Sequence, residues 1–71
     1  MNTQQFIANV TGRYGWQATE SEKWLTLTNE TDRIDISLSR RLVIDTTDAM
    51  DIPGDLYMNC VLFAMVPLEM R

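Results

Sequence analysis

Seventy-one residues make one domain, 1–71, close to the smallest size at which a single core holds together, and an apolar fraction of 45% excludes a disordered chain. Ten Asp and Glu against six Lys and Arg leave a net charge of −4, which opposes non-specific attraction to phosphate backbones. A lone Cys60 and no charged leader followed by an apolar run argue against a disulfide-stapled secreted fold and for a reducing, cytoplasmic setting.

Residues Asn2 to Arg13 read as a first helix. Asn2 or Thr3 supplies the N-cap, and Phe6, Ile7, Val10 and Tyr14 recur at three- and four-residue spacing. Gly15 suits the left-handed position past its end. Trp16 to Glu20 reads as a short strand with Trp16 and Ala18 on one side, and Glu20 to Lys23 as a polar turn. Trp24 to Thr28 alternates again, with Leu25 and Leu27 inward and Trp24, Thr26 and Thr28 outward. Packing of Trp24 within the monomer is favoured over a contact role, because single surface aromatics need no function.

Asn29 to Asp32 is a loop of residues that bond their own backbone. The stretch Arg33 to Asp45 then organises the chain. Ile34, Ile36 and Leu38, and again Leu42 and Ile44, fall on alternate positions. A three-residue turn at Ser39-Arg40-Arg41 sets Leu38 opposite Leu42 and Ile36 opposite Ile44, all on one face. Asp45 to Asp55 is a connection with capping signals. Gly54 to Val66, stopped by Pro67, is a helix whose Leu56 to Val66 hold one clearly polar residue, Asn59. If Leu56, Cys60, Phe63 and Ala64 pack on the sheet, Met58, Val61, Leu62 and Met65 need another cover, a homodimer partner or a different protein. The fold class is α+β: an N-terminal helix, a three- to four-stranded antiparallel meander and a C-terminal apolar helix on the sheet. The longest apolar run, Cys60 to Pro67, is too short to cross a bilayer.

Catalytic groups are scarce. Without histidine the commonest general base and metal ligand is missing. An apolar setting raises the pKa of Cys60 and makes it inert, and Ser or Thr without a base forms no triad. The series Asp45, Asp48, Asp51, Asp55 fails the oxygen spacing of a calcium loop. The expectation is therefore no enzyme, no metal and no cofactor. Glu20, Glu22, Glu30, Asp32, Asp35, Asp45 and Asp48 form an acidic surface, read either as phosphate mimicry or, preferably, as a solvated rim. Arg40 and Arg41 at the turn tip suit a phosphate or carboxylate, or solubility alone.

The order of elements resembles the first half of the class I type III secretion chaperones, carried by Phe6-Ile7 to Gly15, Trp24 to Leu27, Arg33 to Ser37, Leu42 to Ile44, and Ile52-Pro53 leading into Leu56 to Val66. That resemblance implies an acidic cytoplasmic dimer wrapping an unfolded effector segment. The family continues with two further strands and a final helix where this chain stops.

The leading expectation is a non-catalytic protein-binding module, an inhibitor or adaptor of the phage or plasmid kind that docks on a larger host machine such as a CRISPR effector. The docking residues expected are Trp24, Arg40, Arg41, Met58, Val61, Leu62 and Met65. The alternatives are a chaperone-like binder of an unfolded segment and a nucleic-acid-binding sheet using Arg33, Arg40 and Arg41. Direct contact with nucleic acid is disfavoured by the net charge, and no membrane association is expected.

Overall fold

A computed structural model describes residues 1–71. The first helix, α1 (Thr3–Asn9), opens on a reciprocal cap. Asn2 Oδ1 accepts from the Gln5 N–H at 2.8 Å and Gln5 Oε1 accepts from the Asn2 N–H at 3.0 Å, so two of the amides that every helix start leaves unpaired are satisfied. The helix widens into a π-helical turn over Val10–Tyr14, where Thr11 Oγ1 donates to the Ile7 carbonyl at 2.9 Å. Gly15 ends it at φ 73°, the left-handed conformation that glycine adopts without steric penalty.

Four strands follow as an antiparallel meander in chain order: β1 (Gln17–Glu20), β2 (Trp24–Thr28), β3 (Arg33–Ser37) and β4 (Ile44–Asp45). The register pairs Ala18 with Leu27 and Leu27 with Ile34, and pairs Leu25 with Ile36 and Ile36 with Ile44. Because side chains alternate across a strand, those rows face the helices. The rows Gln17–Thr28–Arg33 and Thr19–Thr26–Asp35–Asp45, with Trp24 opposite Ser37, face the other way.

The last helix, α2 (Gly54–Met65), buries Leu56, Cys60, Phe63 and Ala64. They join Phe6, Val10, Trp16, Leu25, Leu27, Ile34 and Ile36 in one core. Phe6 and Phe63 stack with ring centroids 4.4 Å apart and planes 7° from parallel, which locks α1 onto α2. Val66 takes an extended conformation ahead of Pro67, as a residue before proline must, and a short 3₁₀ turn covers Leu68–Met70. The result is one helical layer on one face of the sheet.

The expected β3–β4 turn is corrected in one respect. Ile36 does face Ile44, but the chain leaves β3 at Ser37 and makes a longer loop over 38–43. Ser37 Oγ starts that loop by accepting from the Ser39 and Arg40 N–H groups at 3.2 and 2.9 Å. Leu38 is half-buried. Leu42, expected inward beside it, is 57% exposed at φ 65°, because its N–H turns away to the Ala64 carbonyl of α2 at 3.0 Å. A one-residue-in-two pattern cannot reveal such a departure, since the competing partner lies on another element.

Candidate functional site

The outward side of α2 is built by helical spacing alone. With Leu56, Cys60, Phe63 and Ala64 turned to the core, positions 58, 61, 62 and 65 fall on the opposite side. Met58, Leu62 and Met65 are 57, 48 and 45% exposed, and Val61 is half-buried among them. Tyr57 flanks this stripe and is also exposed, a residue sequence reasoning did not single out, although its place on the same run of helix would have served. No charged residue occurs from Leu56 to Leu68. Isolated apolar side chains on a surface are ordinary; four on adjacent turns of one helix are a patch.

The C-terminal end of α2 is held from outside the helix. Arg41 Nε donates to the Met65 carbonyl at 2.7 Å. Arg71 Nε, Nη1 and Nη2 donate to the carbonyls of Val66, Ser37 and Ala64 at 3.0, 2.8 and 2.7 Å, and its guanidinium lies over the Phe63 ring 4.9 Å from the centroid. Both arginines thus satisfy carbonyls that a helix end leaves bare and sit where the helix dipole favours cations. Arg41 was expected as a free docking group; the structure commits its Nε to the helix. Arg71 was missed, and the available signal was a basic residue a few positions beyond a helix stop.

At the other end, Tyr14 Oη donates to Asp55 Oδ2 at 2.8 Å, Asn59 Nδ2 donates to Tyr14 Oη at 3.4 Å, and Arg13 lies 3.6 Å from Asp55. The Tyr14 hydroxyl holds the Asp55 carboxyl below the usual carboxylate range, while burial pushes the Tyr14 phenol up. This cluster ties the π-helical turn to the start of α2.

The seven acids expected on one surface are dispersed. Asp32 is a correction outright: it is 6% exposed. Its Oδ1 accepts from the N–H groups of Met50 and Asp51 at 2.7 and 3.3 Å, and its Oδ2 accepts from Thr31 Oγ1 at 3.0 Å. These donors, the Met50 N–H first, hold its carboxyl below the ordinary range. Glu20 falls on the helix side of the sheet, bonded by Gln4 Nε2 at 3.4 Å. Glu22, Glu30 and Asp48 lie exposed in separate connections. Only Asp35 and Asp45 share a row, on the outer sheet face. No three His, Cys, Asp or Glu side chains stand close enough to hold a metal ion.

That outer face carries Trp24, which the chain itself covers in greater part while leaving 38% of its surface exposed, because the helices cover the opposite face. It borders a shallow hollow of about 260 Å³ with Ser21, Thr26, Arg33, Asp35 and Asp45. Arg33 grips Asp35 with Nε and Nη2 at 3.0 and 3.3 Å, and Thr26 Oγ1 donates to Asp35 at 2.6 Å. Arg33 is therefore matched by its own neighbours, Arg41 is turned to α2, and Arg40 stands exposed in the 38–43 loop. The three arginines do not converge on one surface. Burial pushes the Cys60 thiol up to about 12, which leaves it protonated and unreactive near neutral pH.

No helix is long and apolar enough to cross a membrane. The chain matches no protein-family model, no curated protein and no solved structure.

Proposed function

We propose that this chain is a non-catalytic protein-binding module of the cytoplasm, an inhibitor or adaptor whose grip on its partner is the outward face of α2. One observation carries the reading: Met58, Leu62 and Met65, with half-buried Val61 between them, are left exposed along the charge-free run from Leu56 to Met65 of α2. All five methionines of the chain are exposed, from 45 to 96%, so none serves as core filler. Methionine is a flexible, polarizable side chain suited to binding surfaces. The reading takes binding from hydrophobic burial at the stripe, at about 25 cal/mol per Å² covered, with Asp51 and Asp55 near one end and Arg41 and Arg71 near the other setting the charges that a partner meets at the rim. A sheet that binds nucleic acid loses support, since Arg33 is neutralised by Asp35.

The test is photo-crosslinking from single positions in the expressing cell. A photoreactive residue at Met58, Leu62 or Met65 is expected to yield protein adducts, and one at Thr19 on the outer sheet face is expected to yield few. Absence of adducts from all three stripe positions contradicts the reading.

A further inference from the structure

We infer that the occupant of the α2 face is a second copy of this chain, laid antiparallel about a two-fold axis that passes between Val61 and Leu62. This rests on the reading of that face as a docking surface and goes further by naming what docks.

Charge decides the partner and the direction. The stripe itself carries no charge from Leu56 to Leu68, so nothing on it selects a charged ligand. Its ends do differ. Near the N-terminal end stand the carboxylates of Asp51 and Asp55 against the single cation Arg13. Around the C-terminal end stand Arg41 on the Met65 carbonyl and Arg71 on the Ala64 and Val66 carbonyls, with exposed Arg40 in the adjoining loop, against Glu69. An antiparallel pair sets each acidic end beside the other copy's basic end and opposes the two helix dipoles. A parallel pair sets like ends together. The same two-fold register places Met58 across from Met65 and Val61 across from Leu62, so the stripe is its own complement, which an isologous interface requires.

Size is consistent with this occupant. Twelve residues of helix run about 18 Å, and two such helices at the usual spacing of about 8–10 Å cover one another's stripe along their length. The patch falls toward the small end of stable interfaces, which bury roughly 800 Å² per partner at standard size, and this predicts a reversible dimer. The arrangement leaves the two outer sheet faces pointing apart, each presenting Trp24, Asp35 and Asp45.

Sedimentation equilibrium of the purified full chain, from about 10 μM to 1 mM, the range expected of a small interface, reads this directly. The weight-average mass is expected to climb toward twice the monomer's 8.2 kDa. Leu62→Glu, whose far-UV circular dichroism should match the parent, is expected to stay at the monomer mass throughout. Mixing Met58→Cys with Met65→Cys under mild oxidation is expected to give the mixed disulfide in excess of either self-disulfide. A wild-type mass that stays at one chain overturns the inference, as do an unchanged dimer in Leu62→Glu or a preference for the two self-disulfides. If the chain is monomeric and photo-crosslinks from the stripe run to a different protein, only the second-copy assignment falls. If it is monomeric and no adducts form, the binding reading falls with it.

Discussion

Asp32 is the residue on which two connections hang. Its carboxylate gathers the Met50 and Asp51 amides from the segment before α2 and the Thr31 hydroxyl from its own turn, while Asn29 Oδ1 accepts from its N–H at 2.6 Å. Asp32→Asn keeps the size but turns one acceptor into a donor facing donors, and the melting temperature is expected to fall by roughly 5 °C in thermal unfolding. Because the folded carboxyl titrates below its ordinary value, its stabilisation is present above the unfolded pKa and is lost as pH falls through the folded one. Asp32→Asn is therefore expected to flatten the acid limb of the stability profile. Cys60 acts at the opposite extreme. With the folded thiol near 12 and the unfolded one near 9, the unfolded chain releases a proton that the folded chain keeps. Stability should drop by about 1.4 kcal/mol per pH unit between those values, and Cys60→Ala should remove that part of the slope in denaturant titrations. Leu42 carries strain. A left-handed φ of 65° costs a residue with a Cβ roughly 1 kcal/mol, and its side chain is mostly outside the core. Leu42→Gly is expected to raise stability by about 0.5–1 kcal/mol in chemical denaturation; a loss larger than that would show that the exposed leucine packs more than its surroundings indicate.

Among the elements, α2 depends most on residues that are not part of it. Pro53 offers no side-chain cap at its start, and its last carbonyls are served by the Leu42 N–H, Arg41 and Arg71. Arg71→Leu, which keeps some apolar contact with Phe63 but removes three donors, is expected to cost about 2 kcal/mol, read from urea melts, and to speed amide exchange at the end of α2 first. The element boundaries were largely legible in the amino acids themselves. Asn2, Gly15, the alternation of Leu25 and Leu27 with Ile34 and Ile36, and Pro67 are local signals that agree with the fold around them. What could not be read there is non-local. The burial of Asp32, the outward turn of Leu42 and the reach of Arg71 back to Ser37 depend on partners 18, 22 and 34 positions away, and no short-range periodicity encodes them. The π-helical turn after Asn9 was likewise hidden, because its effect is a shift of one residue within an otherwise helical run.

At the scale of the whole molecule, one helical layer on one sheet face leaves two large surfaces open, and they differ in kind. The outer sheet face is polar and internally matched, with Arg33 and Thr26 both bound to Asp35. The outward face of α2 has nothing of its own chain to match it. The exposure of Met58, Leu62 and Met65 followed from helical period once the buried side was known, so that part of the candidate site was readable in advance. The acidic surface was not, because net charge says nothing of which acids face inward, and turn geometry drew Asp32 into the interior. A core this small also tolerates little damage. Phe63→Ala removes the ring on which Phe6 and Arg71 both stack, and a loss of about 3–5 kcal/mol is expected to leave the chain mostly unfolded at 37 °C by circular dichroism.

The most direct measurement of whether protein covers α2 is the relaxation that a soluble nitroxide imposes on methyl-labelled methionines. Met50, 96% exposed and outside any element, serves as the internal reference. As concentration rises, the Met58 and Met65 methyls are expected to lose most of their enhancement while Met50 keeps its own. Enhancements at Met58 and Met65 that stay proportional to Met50 at every concentration would contradict a second copy on that face, and the same result in the presence of cell extract would contradict protein binding there altogether.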